Sequence, residues 1–140
     1  MNEYLSQEAV QEISPVVLAY IGDAVFELAV RTHIVADGHR KVKDIHLDTV
    51  ALVKAESQAK VIRQMFDQLS EEEQAIVKRG RNAKSGVPKH AGINDYRMST
   101  GFEALLGFHY LRGDTDRLAY LIKLALAAEK ESRNPMRGEP

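Results

Sequence analysis

The sequence predicts an all-α protein with a single domain. Apolar residues recur at helical spacing along most of the chain, and no stretch alternates apolar and polar residues as a half-buried strand does. Helix-start signals divide the chain into segments of helical length. The length of 140 residues suits one hydrophobic core. We therefore expect a lead-in over residues 1–13, one helical domain over residues 14–131 and a flexible tail over residues 132–140.

The first long helix is the most apolar stretch of the chain. Ser14 is a good N-cap and Pro15 suits the first helical position, so this helix should run to about Val35 and end before Gly38. A helix that is apolar on every side is usually a buried helix. We therefore expect this helix to be buried on all sides.

Start and stop signals also define the middle of the chain. A second long helix is expected over residues 45–69, with a break near Ala55. Ser70 and Glu73 form a capping box that should open a third helix. That helix should stop near Arg79, with Gly80 as its end signal.

The last third of the chain is predicted as a loop and two helices. Residues 78–93 show no helical periodicity and contain several glycines, which indicates a loop. Thr100 and Glu103 have the spacing of a second capping box, which would open a helix closed by Gly113. The final helix should span about residues 114–129.

Composition excludes several classes of protein. The chain has no cysteine, which excludes disulfides and thiolate metal sites and fits a reducing cytoplasm. No apolar run approaches the roughly twenty residues of a membrane span, and the N-terminus lacks the features of a signal peptide. We therefore expect a cytoplasmic protein that makes no membrane contact. The net charge of −1 means that any nucleic-acid signal must come from local clustering.

Asp23 is the most unusual residue of the first helix. It shares one helix face with Glu27 and Arg31 through i, i+4 spacing, and an ion pair accounts well for the latter two. Asp23 follows a glycine in the most apolar part of the helix, and carboxylates are rarely buried unless paired or bound to a metal. Mg²⁺ commonly takes one or two carboxylates. One partner carboxylate from elsewhere in the chain would complete such a site.

Basic residues cluster in one segment of this otherwise balanced chain. Residues 74–94 contain five lysines and arginines and no acidic residue. A solvated basic loop is the plain interpretation, but interleaved Gly, Asn and Ser add backbone and side-chain donors that suit phosphate. The five histidines have no metal-binding spacing, and most are expected at the surface. The candidate phosphate-binding residues are Lys78, Arg79, Arg81, Asn82, Lys84, Ser85, Lys89 and His90.

Two segments, taken as an ordered pair, resemble the catalytic domain of the ribonuclease III family. Residues 20–28 (YIGDAVFEL) resemble the signature of that family, and residues 103–111 (EALLGFHYL) resemble its second acidic helix. The basic segment lies between them. The short chain is similar to the mini-ribonuclease III subfamily, whose members lack a separate double-stranded-RNA-binding domain. On local pattern alone Glu103 is a capping residue, but the resemblance assigns it with Asp23 to the metal-binding carboxylates.

The resemblance implies a function. It implies a double-strand-specific endoribonuclease in which Mg²⁺, anchored by Asp23 and Glu103, assists hydrolysis and leaves 5′-phosphate and 3′-hydroxyl ends. It implies that the basic segment binds RNA, and that the substrate is the precursor of large-subunit (23S) ribosomal RNA, with a ribosomal protein as a candidate helper. It also implies a homodimer, because a two-fold axis can present one equivalent site to each antiparallel strand.

Two positions depart from the family pattern. Where larger members have a glutamate and an aspartate, this chain has Ala19 and Thr100. These losses leave open how many metal ions bind at each site. They also favour an alternative function, which is a non-catalytic RNA-binding or ribosome-associated module on the same fold.

Overall fold

The computed structural model describes residues 4–38, 41–83 and 92–133, and these residues form seven α-helices and one 3₁₀ helix. No strand occurs among them, so the prediction of an all-α fold is confirmed. The helices are α1 (Gln7–Gln11), α2 (Pro15–Ala36), α3 (Val42–Val53), α4 (Ala55–Met65), the 3₁₀ helix (Phe66–Gln68), α5 (Glu71–Asn82), α6 (Ile93–Arg112) and α7 (Thr115–Arg133).

Helix α6 is the centre of the fold. It packs against α2, α4 and α5, and it also contacts α1 and α7. Phe26 of α2 meets Phe102 of α6 edge to face, with ring centroids 5.1 Å apart. Every residue from Ser99 to His109 is buried except Glu103. The one acidic side chain in the most buried part of α6 therefore faces an opening in the packing.

Several helix boundaries lie where the sequence signals predicted them. The Ser14 hydroxyl accepts a hydrogen bond from the Val17 N–H, and both halves of the Ser70 capping box are formed. Gly113 ends α6 in the left-handed conformation, with φ of 75°. The break expected near Ala55 occurs at Lys54, which is extended with ψ of 146°. Each of these signals is local, which is why the sequence alone revealed it.

The capping box predicted at Thr100 is wrong. Helix α6 begins at Ile93, so Thr100 and Glu103 lie in its interior. The Thr100 hydroxyl donates to the Tyr96 carbonyl one turn earlier, which is how a threonine inside a helix satisfies its side chain. Glu103 is therefore released from any capping role.

The predicted end of α5 at Gly80 is also wrong, because this helix continues to Asn82. A Cβ atom at position 80 would lie 2.8 Å from the Gly101 Cα, so glycine is needed there for close packing of α5 on α6. Residues 78–82 of the predicted loop are thus helical. Residues 84–91 lie outside the described residues, as do residues 134–140 of the predicted tail, and α7 itself runs to Arg133.

Helix α2 is not buried on all sides in the single chain. Its buried face packs on the core through Leu18, Phe26 and Val30, as the apolar pattern requires. Its opposite face is open, with Tyr20 exposed to 77% and Leu28 to 68%. The apolar residues that the core does not cover therefore form a stripe along the outside of α2.

A buried polar network joins α5, α6 and α7. His109, in contrast to the expected surface histidines, is buried and lies between Glu73 Oε2 at 2.7 Å and Asp114 Oδ2 at 2.9 Å. Arg117 donates two hydrogen bonds to Glu73. Burial alone would raise the pKa of Glu73, but hydrogen bonds from Arg117, the Ser70 N–H and His109 outweigh burial and lower this pKa to about 2. Glu73 is thus both a helix cap and the anchor of three helices.

Candidate active site

The structure brings Asp23 and Glu103 together. Asp23 lies on α2 and Glu103 on α6, and their side chains are joined by a hydrogen bond. Asp23 is exposed, whereas Glu103 is mostly covered by the surrounding helices. The pair therefore forms a site with one carboxyl group inside the packing and the other at its mouth.

Two glycines set the distance between these carboxyl groups. A Cβ atom on Gly22 would lie 1.7 Å from the backbone oxygen of Glu103, and one on Gly107 would lie 1.9 Å from the backbone oxygen of Leu18. The backbones of α2 and α6 are thus in direct contact where the helices cross. Gly22 immediately precedes Asp23 and is itself packed on Glu103, so the crossing aligns the two acids.

The pair holds a proton in the absence of a cation. Burial raises the pKa of Glu103, the hydrogen bond and negative charge of Asp23 raise it further, and the result is a pKa of about 9. The nearby Gln58 amide acts in the opposite direction and lowers this pKa by a smaller amount. Two carboxyl groups this close cannot both ionise at neutral pH unless another positive charge replaces the proton. A divalent cation is such a charge.

Gln58 of α4 is a third member of the site, and the sequence reading missed it. Its side chain is only 3% exposed and is near enough to Glu103 to influence that carboxyl group. Its Nε2 atom nevertheless has no partner that meets hydrogen-bond geometry within the described part of the chain. A buried unpaired donor costs about 1–3 kcal/mol. The available signal was helical spacing, because Gln58 shares the apolar face of α4 with Ile62 and Met65.

The donor set fits a hard divalent cation with few protein ligands. Asp23 and Glu103 supply two carboxylates, which together with water is a common set for Mg²⁺. Among the residues that the structure describes, no group of three acidic, histidine or cysteine side chains could hold a metal ion. The two positions at which larger family members have acidic residues add no carboxylate here. Position 19 is a buried alanine, and position 100 is a threonine whose hydroxyl donates to the Tyr96 carbonyl. Within the described part of the chain, Asp23 and Glu103 are therefore the carboxylates that such a site would use.

The described basic residues lie at the C-terminal end of α5. Lys78, Arg79 and Asn82 are exposed, whereas Arg81 is half-buried and its Nε donates to Asn82 Oδ1 at 3.2 Å. A Cβ atom on Gly80, within this turn, would lie 3.1 Å from Ala104, the neighbour of Glu103. The end of α5 that carries these basic residues therefore packs on α6 within one residue of Glu103 in the sequence. The predicted residues Lys84, Ser85, Lys89 and His90 lie outside the described residues.

Comparison with known proteins gives relatives over almost the whole chain. The profile of the Ribonuclease III domain matches residues 16–114. The Mini-ribonuclease 3 of Thermoanaerobacter sp. strain X514 is 48% identical over 131 residues, which are 93% of this chain and 92% of that protein. The chain belongs to the mini-ribonuclease III branch of the ribonuclease III family. The resemblance seen in residues 20–28 and 103–111 is thus confirmed.

Further comparisons agree with this family. The Mini-ribonuclease 3 of Clostridium tetani is 41% identical over 134 residues, which are 94% of this chain and 89% of that protein. A crystal structure of a Fusobacterium nucleatum protein superposes with a TM-score of 0.77 at 27% identity, covering 86% of this chain and 97% of that one. As a ribonuclease III family member, the chain is an endoribonuclease specific for double-stranded RNA, and the family is metal-dependent. Among the described residues, no helix is long and apolar enough to cross a membrane.

Proposed function

We propose that Asp23 and Glu103 together bind Mg²⁺ and that this site cleaves double-stranded RNA to leave 5′-phosphate and 3′-hydroxyl ends. The observation that carries the proposal is the convergence of the Asp23 and Glu103 carboxyl groups where α2 crosses α6, close enough for Asp23 to raise the pKa of Glu103. A bound divalent cation would supply a water of lowered pKa and would offset negative charge on the leaving oxygen. The cation would supply the positive charge that allows both carboxyl groups to be ionised.

Each residue of the site has a separate task in this proposal. Asp23, at the mouth of the site, is accessible to a phosphodiester and to the solvent. Glu103 lies where the backbones of α2 and α6 are in direct contact and is mostly covered, so it would bind the cation from the inner side of the site. No side-chain general base is assigned.

The basic end of α5 is proposed as the RNA-binding surface next to this site. Arg79 and Arg81 would contact phosphates on the duplex backbone, which is read mainly through its shape, phosphates and 2′-hydroxyls. Their binding should therefore weaken steeply with added salt. The full proposed set is Lys78, Arg79, Arg81, Asn82, Lys84, Ser85, Lys89 and His90.

A homodimer is proposed on the outer face of α2. The exposed stripe of this helix borders an apolar groove of about 1050 Å³ between α2 and α7. Leu28 lines the groove on the α2 side, and Leu118 and Ile122 line it on the α7 side. A second copy related by a two-fold axis would cover both groove and stripe, because an isologous interface uses the same patch twice. It would also give one site for each RNA strand.

The biological substrate is proposed from family resemblance alone. We propose the precursor of 23S ribosomal RNA as the substrate, with its paired ends as the target and a ribosomal protein as a candidate helper. We propose the cytoplasm as the compartment, in keeping with the absence of cysteine.

The experiment that tests this function compares Asp23→Asn with the wild type on labelled duplex RNA, with and without Mg²⁺. Loss of outer-shell partners commonly costs 10–100-fold in activity, so loss of a metal ligand should cost at least about 100-fold. Duplex binding without Mg²⁺ should change little. Asp67→Asn, which alters an exposed aspartate of the 3₁₀ helix, is the matched control and should cleave at the wild-type rate.

Two other outcomes would contradict the proposal. If Asp23→Asn cleaved as fast as the wild type, the assignment of the metal site would be wrong. If the wild type bound duplex RNA but never cut it in Mg²⁺, the non-catalytic alternative suggested by Ala19 and Thr100 would be the better description.

A further inference from the structure

We propose that Gln58 is a positioning residue for Glu103, and that its side-chain Nε2–H group donates to the Glu103 carboxylate when that carboxylate binds a cation. This inference rests on the proposed cation site at Asp23 and Glu103. It adds to that site a neutral residue from a third helix, α4. Gln58 itself would make no bond to the cation.

The first argument is the state of the Gln58 amide. Its side chain is 3% exposed, so water cannot easily satisfy it. Its Nε2 atom has no hydrogen-bond partner among the residues that the structure describes. Buried polar groups are nearly always hydrogen-bonded, and an exception in a native fold calls for an explanation. The Glu103 carboxyl group is the acceptor that the Gln58 side chain already approaches, and a well-aligned hydrogen bond from Nε2 requires only a change in the orientation of that carboxyl group.

The second argument is the position of the nearest acidic group. Gln58 lies beside Glu103, and Glu103 is hydrogen-bonded to Asp23. A cation bound by both carboxylates would take the place of the hydrogen bond between them. A Glu103 oxygen is then free to accept from Gln58. The amide would fix the orientation of the carboxylate, as outer-shell hydrogen bonds do for metal ligands generally.

The third argument is the chemistry of the amide. A lysine or arginine at position 58 would neutralise Glu103 and weaken its attraction for a cation, whereas an aliphatic side chain would leave the carboxylate unsupported. A glutamine supplies a donor with no net charge. It can therefore stabilise the ionised form of Glu103 and leave its negative charge available to the cation.

The test measures cation binding without RNA. Mn²⁺ is titrated into the wild type, Gln58→Met and Gln74→Met, and free Mn²⁺ is followed by electron paramagnetic resonance. Methionine keeps the length of glutamine but has no N–H group. Gln74 is the matched control, because its Nε2 donates to the Phe66 carbonyl and not to the acidic pair. We expect Gln58→Met to bind Mn²⁺ 10–100-fold more weakly and Gln74→Met to bind like the wild type.

A second readout separates positioning from packing. In EDTA, Gln58→Met should melt at or above the wild-type temperature, since it removes an unpaired buried donor, whereas Gln74→Met should melt lower. The inference is overturned if Gln58→Met binds Mn²⁺ within twofold of the wild type, or if its metal-free melting temperature falls as that of Gln74→Met does. Gln58→Leu serves as the second variant if the methionine variant does not fold, and it is judged by the same two readouts.

The variant Asp23→Asn distinguishes failure of the proposed cation site from failure of the proposed role of Gln58. If this variant loses Mn²⁺ binding but Gln58→Met keeps it, the cation site stands and the role of Gln58 is wrong. If Asp23→Asn binds Mn²⁺ as tightly as the wild type, the cation site itself is wrong, and the inference about Gln58 is overturned with it.

Discussion

Glu103 has two neighbours with opposite effects on its charge. Burial and the carboxyl group of Asp23 favour the protonated form, and the amide of Gln58 favours the ionised form. Burial and Asp23 prevail, so the pKa lies at about 9 in the metal-free protein. A cation bound there would expel this proton, so cation binding should be coupled to pH. Glu103 therefore destabilises the folded protein at neutral pH when no cation is bound, and a bound cation would remove this destabilisation.

The residue-scale prediction concerns stability without metal. The pKa of Glu103 is raised from 4.5 to about 9 on folding. Between these values the folded state holds one proton more than the unfolded state, so the free energy of unfolding falls as pH rises, by up to about 1.4 kcal/mol per pH unit. Glu103→Gln should remove this slope and raise the melting temperature at pH 8. Thermal melts in EDTA from pH 5 to 9 measure it.

The control for this prediction is Glu27→Gln. Glu27 is a partly exposed glutamate paired with Arg31 at 3.3 Å, so its removal should leave the pH dependence almost unchanged. If Glu103→Gln kept the wild-type slope, the raised pKa would not belong to Glu103.

Residue identity alone predicted part of this site. Asp23 was singled out because a carboxylate in an apolar helix suggested a buried charge, but the structure has Asp23 exposed and its partner Glu103 mostly covered. Glu103 was not identifiable from its surroundings in sequence, because its spacing from Thr100 is also that of a capping box. Only the paired motifs distinguished the two interpretations. Gln58 was missed because a lone amide in an amphipathic helix carries no motif, and its unpaired state appears only when three helices are packed together.

The crossing of α2 and α6 is the element on which the acidic pair depends. Gly22 and Gly107 let the two backbones touch, and Asp23 follows the first of them directly. Helix ends with their own side-chain signals, at Ser14, Ser70 and Gly113, were predicted correctly. The start of α6 was not, because its N-cap at Gly92 makes no side-chain hydrogen bond. Close helix contacts likewise depend on residues distant in sequence.

The element-scale prediction is the effect of Gly22→Ala. Helix propensity alone would favour alanine by about 1 kcal/mol. The new Cβ atom would instead meet the Glu103 backbone oxygen at 1.7 Å, and backbone cannot rotate away as a flexible side chain can. Overpacking of this kind costs about 1–3 kcal/mol or more, so we expect net destabilisation in urea denaturation. A stability equal to or above that of the wild type would contradict direct backbone contact at the crossing.

The same substitution should also affect the site. Separation of α2 from α6 moves Asp23 away from Glu103, and misplacement by about 1 Å can cost 100-fold in rate. Duplex cleavage should therefore fall even under conditions in which Gly22→Ala remains folded, as judged by circular dichroism.

At the scale of the whole molecule, the chain is divided into an acidic site, a basic edge and an apolar outer face. The net charge of −1 conceals this division, because the basic residues of one segment are offset by acidic residues elsewhere. The apolar character of α2 predicted a buried helix, and in the single chain it is half-covered. The apolar pattern of a helix indicates how much of its surface must be buried. It does not indicate whether the same chain or a second copy covers that surface.

The last prediction concerns that outer face. Leu28 is 68% exposed at the edge of the apolar groove, and in a two-fold dimer it would be buried twice. Burial of a leucine contributes about 1.5–3 kcal/mol, and a charge at the same position would be desolvated at further cost. Leu28→Glu should therefore be monomeric at micromolar concentration, whereas we expect the wild type to have twice the chain mass of 15.7 kDa in light scattering.

Val42→Glu is the matched control for the dimer, since it places the same charge on an apolar residue of α3 that is 82% exposed and does not line the groove. This variant should remain a dimer. Loss of the second site in Leu28→Glu should also change the products, because one monomer can present a site to only one strand of the duplex at a time. We expect nicked duplexes to accumulate in place of double-strand cuts. A wild type that is monomeric, or a Leu28→Glu variant that stays dimeric, would place the contact between copies on another surface.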